Sequence, residues 1–204
     1  MLLELYEQRN VESVRSLIPD KISVTGVTLL LRSLVEEGFS IRDFSKILDS
    51  MSELFEKNSA KTEILSEARK CLMRNYLLKY SQGIKELQVF VFNAEMEHQL
   101  ISQVSAELPI HPALSQQIRN LVNCQIILNT KSNQGKKIFL LVPLKIRRSI
   151  FLMLGLNSED ISVLAYEEIP DDFMVKIIPF EVHDNELSGG ELSEEEGESL
   201  SEAA

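Results

Sequence analysis

The stretch LLRSLVEEGFSIRDFSKILDSM, residues 30–51, decides how this chain is read. Two amphipathic runs meet at a tight turn, the outline of a helix-turn-helix. In the first run Leu29, Leu30, Leu34 and Val27 line one face after Thr25 and Gly26, and Gly38 supplies a left-handed stop. In the second, Ser40 is placed to accept from the amide of Asp43, and Asp43 to reach back toward Ser40 and favour the positive helix end. Ile41, Phe44, Ile47, Leu48, Met51, Leu54 and Phe55 then recur at spacings of three and four, which makes a buried stripe. Helix-turn-helix geometry raises DNA binding, and charge decides against it. Over residues 41–57, Arg42, Lys46 and Lys57 are outnumbered by Asp43, Asp49, Glu53 and Glu56. A phosphate-binding helix draws its affinity from uncompensated cations, and this one has none. The turn is therefore read as architectural, with a winged-helix-like nucleic-acid-binding regulator as the alternative.

Working outward, residues 1–84 are helical by period. Leu2, Leu3, Leu5 and Tyr6 open a short helix; Val11, Val14, Leu17 and Ile18 space a second that Pro19 helps close. A helix over about 62–80 turns Ile64, Leu65, Ala68, Cys71, Leu72 and Tyr76 inward. The period then changes. ELQVFVFN (86–93) is a strand, AEMEHQLISQVSA a helix, Pro109 and Pro112 a break, and ALSQQIRNLVNCQIIL a helix to about Asn129. KSNQG reads as a turn, KKIFLLVP as a strand, LKIRRSIFLMLGL as a helix ended near Gly155, and SVLAYEEI and FMVKIIPFEV as two strands. The class is α+β: a helical subdomain over 1–84 with a helix-turn-helix-like core, a small α/β subdomain over 85–183, and a tail over 184–204.

The chain has 204 residues and a formal net charge of −10, but DNELSGGELSEEEGESLSEAA from Asp184 holds eight acids and no base, so the remainder stands near −2. The tail carries too few large apolar groups to offset the entropy of ordering and is expected to be disordered. Cys71 and Cys124 sit in apolar, helix-period contexts and read as two buried thiols in a reducing compartment. Lys145, Arg147 and Arg148 interrupt the most apolar region, so no bilayer-spanning run is expected, and MLLELYEQRN has no basic lead into an apolar core, so no secretory signal is expected either.

Catalysis finds no support. His98, His111 and His183 have no second His or Cys at ligand spacing, and no phosphate loop, nucleophile elbow or HExxH motif occurs. Glu36 and Glu37 read as a solvated helix end rather than a tuned acid pair. No enzyme activity, metal or cofactor is expected.

Four separated motifs carry a family resemblance. LIP (17–19) followed by LLRSLVEEGFSIRDFSKILDSMSE, then LSEARKCLMRNYLLKY, PLKIRRSIFLMLGL and VLAYEEI, resemble in order the cytoplasmic C-terminal region of the large export-gate proteins of type III secretion, the FlhA/SctV family of flagella and injectisomes. The resemblance runs over about residues 1–182. Tyr166 and the NYLLKY ending are closer to injectisome members, whereas Lys145 stands where the family usually has an acid. The resemblance implies a fragment covering the end of the first cytoplasmic subdomain, the helical third and the α/β fourth. Such proteins have an N-terminal membrane region at the bacterial inner membrane and a cytoplasmic part that forms a homo-oligomeric, nonameric ring. It also implies docking of secretion chaperones with their substrates, gatekeeper proteins and stalk or ATPase-complex proteins, with no nucleic acid.

On that reading Ser40 and Asp43 cap the central helix, and Ile41, Phe44, Ile47 and Leu48 lock it. Arg42 with Glu36 and Glu37 is expected to form part of the ring contact, against the alternative that Arg42 pairs locally with Asp43 or Glu37. Arg147 and Arg148 are expected to receive acidic partners, against the alternative that their helix is internal and splits them between a core-edge pair and solvent.

Overall fold

A computed structural model describes residues 22–57, 59–131, 137–155, 161–178 and 180. The two expected helices before residue 22, most of the KSNQG turn, Lys136, His183 and the acidic tail lie outside the described residues. Three helices come first: α1 (Val24–Glu36), α2 (Phe44–Glu56) and α3 (Lys61–Tyr80). Then follow β1 (Glu86–Val91), α4 (Ala94–Ser105), α5 (Pro112–Lys131), β2 (Ile138–Val142), α6 (Leu144–Leu154), β3 (Ile161–Ala165), a 3₁₀ turn at Tyr166–Glu168, and β4 (Met174–Ile178).

Helix α1 starts ahead of the expected point because Ser23 caps it, its Oγ accepting from the Gly26 amide at 3.0 Å. It ends as expected. Gly38 adopts φ 83°, its amide donates to Val35 O and the Phe39 amide donates to Leu34 O, both at 2.9 Å, a Schellman closure. Val27 and Leu34 are buried as expected, but Leu29 is 51% exposed. It lies two residues from Val27, about 200° around the helix, so it faces away from the core. Helix α2 begins at Phe44, and the expected Ser40–Asp43 capping box does not form: Ser40 Oγ accepts from the Arg42 amide at 3.4 Å instead. Asp43 itself precedes the helix, its carbonyl accepting the Ile47 amide at 3.2 Å, and a starting Asp caps as well as Ser. The stripe holds: Phe44, Ile47, Leu48, Met51 and Phe55 are buried, with Ile41 and Leu54 packed at its edge.

The sheet is fully parallel, in the order β3-β2-β1-β4, with Phe90 opposite Leu140, Leu140 opposite Val163, and Glu86 opposite Met174. Strands β2 and β3 are buried along their whole length, the usual state of a parallel sheet, whereas β1 is exposed on one face at Glu86 and Gln88. Leu87, Val89, Phe139, Leu141 and Leu164 join the core of α1–α3, while Ile138, Leu140, Val142, Ile161 and Val163 pack with Met96, Leu100, Ile118, Ile146 and Ile150 of α4, α5 and α6. Helix α3 thus lies between α2 and the sheet. This explains why its burial runs around so much of its girth, through Leu65, Ser66, Ala68, Arg69, Leu72, Met73, Tyr76 and Leu77. The change from helix to strand falls at the left-handed pair Gln82 and Gly83, near residue 84, yet the core passes across it. Strand β3 stops short of the expected SVLAYEEI span: Glu168 Oε2 takes the Ala165 amide at 3.0 Å and curls the chain into the 3₁₀ turn. Cys71 and Cys124 are free and half-buried rather than fully buried.

Candidate functional site: a charged clasp between the helical layer and the sheet

Five charged side chains from four elements meet where α1, α3, α6 and the 3₁₀ turn converge. Arg69, on the inward face of α3, is 1% exposed. Its Nε lies 2.6 Å from Glu168 Oε1 and its Nη2 donates to Glu168 Oε2 at 2.8 Å, a two-pronged pair. Nη2 also reaches Val163 O at 3.2 Å, and Nη1 donates to Glu37 Oε2. Arg147, at the start of α6, donates from Nη1 to the same Glu37 oxygen at 2.8 Å and lies 3.8 Å from Glu168. Arg148 takes the other Glu37 oxygen at 2.7 Å. Phe39, the residue that closes α1, sits with its ring centroid 4.7 Å from the Arg69 guanidinium and stacks on Tyr76, whose hydroxyl bonds Ser162.

The electrostatics follow from burial with partners. Burial alone would lower the pKa of Arg69, but the hydrogen bond and charge of Glu168, then the charge of Glu37, leave it raised. Burial would raise the carboxyl of Glu168; its bond to Arg69 and the charges of Arg69 and Arg147 outweigh that and hold it low. Arg147 is lowered by burial and by the like charge of Arg69. Three guanidinium groups face two carboxylates, so the cluster carries a surplus cation. The surplus falls on its outermost member, since the Arg148 side chain is 30% exposed against 4% for Arg147.

This cluster is no ligand site. The cavity beside it is about 10 Å³, room for at most one water. Among the described residues no group of three or more His, Cys, Asp or Glu could hold a metal ion, and no helix is long and apolar enough to cross a membrane. What the arrangement does is tie the end of α1 to the sheet and to α6.

Of the residues singled out in the sequence, Glu37, Arg147 and Arg148 are brought together, and two readings change. Glu37 is not on a solvated helix end: it is 4% exposed, turned inward to Arg69, Arg147 and Arg148. Arg147 is not open to a partner either, being 3% exposed, so the internal-helix alternative describes α6. Glu36 and Arg42 are exposed, and Arg42 pairs with neither Glu37, which is occupied, nor Asp43, which lies 3.9 Å from Lys46. Arg69 and Glu168 were not singled out. Arg69 had a signal, a cation at the inward phase of α3 between Leu65 and Leu72; Glu168 had none of its own.

A second feature adjoins the clasp. The outer side of Arg148 forms part of the rim of an apolar groove of about 590 Å³ between α1, the end of α2 and the start of α3.

Comparison with known proteins places this geometry. The chain is 26% identical over 171 residues to low calcium response locus protein D of Yersinia pestis, covering 81% of this chain and 23% of that protein. It is 23% identical over 176 residues to the flagellar biosynthesis protein FlhA of Salmonella typhimurium, covering 86% of this chain and 25% of the relative. The chain thus spans about a quarter of the length of these relatives. Its fold matches the nonameric EscV cytosolic domain from the type III secretion system with a TM-score of 0.71 at 24% identity, over 87% of this chain and 53% of that one. It matches the Chlamydia pneumoniae CdsV chain of a CdsV and CdsO complex with a TM-score of 0.69 at 22% identity, over 88% and 52%. The model of the FHIPEP family matches residues 1–174, and the chain belongs to that family.

Proposed function

We propose that this chain is part of the cytoplasmic portion of a type III export gate of injectisome kind, a non-enzymatic module that builds a homo-oligomeric ring and docks export partners. The observation that carries the reading is the family match over residues 1–174, with a fold shared with a domain described as nonameric. The physics is consistent with a scaffold role. The buried charges are consumed by internal pairing, and the charged groups left at the α1–α2 turn, Glu36 and Arg42, are exposed and available to a neighbouring subunit. In the full protein the chain would lie at the cytoplasmic face of the inner membrane. It corresponds on this reading to the end of the first subdomain, the third and the fourth. Chaperone–substrate complexes, gatekeepers and stalk proteins are the partner classes proposed, and the complex of CdsV with CdsO supports a partner for a protein of this fold.

Size-exclusion chromatography with light scattering tests the ring, on residues 1–182 alone and joined to the upstream cytoplasmic segment expected of this family. Closed rings from the joined form are the expected result. Monomers at every concentration in both forms would overturn ring building as a property of this region.

A further inference from the structure

Among the described residues, the groove beside Arg148 is walled by α1, the end of α2 and the start of α3. Along α1, Gly26, Leu29, Leu30 and Ser33 recur at helical spacing on the groove side, and Phe55 of α2 and Leu65 of α3 line it opposite them. An apolar trough between three helices is a shape that an amphipathic helix can fill. Leu29 makes the point sharply, since it is a large apolar side chain half exposed on the wall of a concave surface.

Charge specifies what kind of helix. Among the described residues lining the groove the charged groups are Lys61 and Arg148, both cations, and no carboxylate lines it. Arg148 is the surplus cation of the clasp. Glu37 keeps Arg69 and Arg147 when Arg148 turns outward, so the inner cluster does not lose its pairing. Lys61 pairs with no carboxylate among the described residues; it opens α3, whose first turn also carries the exposed Glu63 outside the groove lining. An incoming helix with basic flanks would meet Lys61 and the net positive charge of the cluster that Arg148 edges; one with acidic flanks would neutralise it.

We propose that this groove docks an amphipathic helix of a partner protein, one that seats apolar side chains against Leu29, Leu30, Phe55 and Leu65 and presents carboxylates to Lys61 and Arg148. The inference rests on the docking role proposed above, and it names the surface and the chemistry of the occupant. Docking also reaches the clasp: a carboxylate that draws Arg148 away from Glu37 couples the groove to the joint between helical layer and sheet.

The test titrates the full chain into a fluorescein-labelled synthetic amphipathic helix of roughly 18 residues, long enough to hold helical structure, with leucines on one face and glutamates flanking them. The same helix with lysines in place of the glutamates is the control, and backbone amide NMR on the full chain maps the site. Expected are saturable binding of the acidic helix, shifts at α1 and at the start of α3, and little binding of the basic one. L29E should weaken binding about tenfold, as loss of a central apolar anchor does. K61E and R148M should each weaken it up to about fivefold, with the salt dependence reduced. Thermal midpoints near that of the parent chain keep these variants interpretable, and for L29E and K61E the substituted side chains are exposed. Equal binding of both helices, or binding untouched by L29E and K61E, overturns the proposal. So does a change in the chain's own oligomer size with L29E, which would assign the groove to a second copy. Absent binding together with amide shifts of residues 1–21 in L29E would assign it to the chain's own beginning and also overturns it. Any of these with rings still formed would leave the export-gate reading standing.

Discussion

Glu36 and Glu37 are neighbours of the same chemistry at the end of the same helix, and they have opposite fates. Glu36 is exposed to solvent; Glu37 is buried and receives three arginines 32, 110 and 111 residues away in sequence. One step along a helix rotates a side chain by about 100°, and at this helix end that step separates a surface charge from the joint of the fold. Charge in a sequence therefore says little until helix phase and long-range partners are known.

The largest expected effect breaks this pair of glutamates apart. Glu37→Ala strands Arg69 and Arg147 in the interior with Glu168 as their one remaining carboxylate, and removing one member of a buried charge network costs about 3–5 kcal/mol. Glu36→Ala should change stability by no more than about 0.5 kcal/mol. Urea unfolding followed by circular dichroism reads both; equal effects would mean that Glu37 is solvated and the clasp does not form. Next in size, Leu48→Ala removes a side chain with no exposure from the α2 stripe and should cost about 2–5 kcal/mol through the cavity it leaves. A cost below about 1 kcal/mol would show that α2 packs more loosely than its stripe requires.

The clasp should also be visible in acid. Glu168 has its folded pKa held below the ordinary carboxylate value, so its contribution is fully present above the unfolded pKa of about 4.3 and is lost as pH falls through the lower folded value. Asp172, paired with Arg74 and Lys85 at 2.7 and 2.6 Å, is held down to about 2, and it is exposed, so its share is small. Stability measured from neutral pH into acid should fall below about pH 4.3 in the parent chain, and fall less steeply in Glu168→Gln, whose baseline is already lower. Parallel acid limbs in the two proteins would remove Glu168 from the network.

Much of this was legible. The helix order, the Gly38 stop, the α2 stripe and the change of period near residue 84 rest on local rules, and local rules hold within each element. The misses share a cause in partners far along the chain. Ser40 does not cap the helix because its hydroxyl accepts from the nearer Arg42 amide and the helix begins only at Phe44. Leu29 reads as inward from the sequence because a run of leucines offers several phases, and only packing chooses among them. Glu37 and Glu168 read as ordinary surface charges singly, and the inward phase of Arg69 does not name its partners, since nothing local announces that four elements will meet. There was a collective signal: the five clasp residues all fall within the four motifs that carry the family resemblance, in LVEEG, SEARK, KIRRS and AYEEI. Charged residues that recur in otherwise apolar signature motifs are candidates for pairing with one another.

Arg42 gives the comparison its subtlest test. It stands two residues before α2, exposed, and pairs with neither Glu37 nor Asp43, so its charge is not held by the buried network. Arg42→Glu should then leave the unfolding free energy within about 0.5 kcal/mol of the parent, well short of the effect at Glu37. If the turn meets a neighbouring subunit, the same reversal places like charges across an interface and should shift ring assembly of the longer cytoplasmic chain toward smaller species at a given concentration, more so at low salt than at high. Light scattering at two ionic strengths reads this, with Glu36→Lys as the complementary change. Unaltered assembly in both variants would place the ring contact elsewhere on the molecule. Lost stability in Arg42→Glu would instead show that the turn's charges are internal, as those of the clasp are.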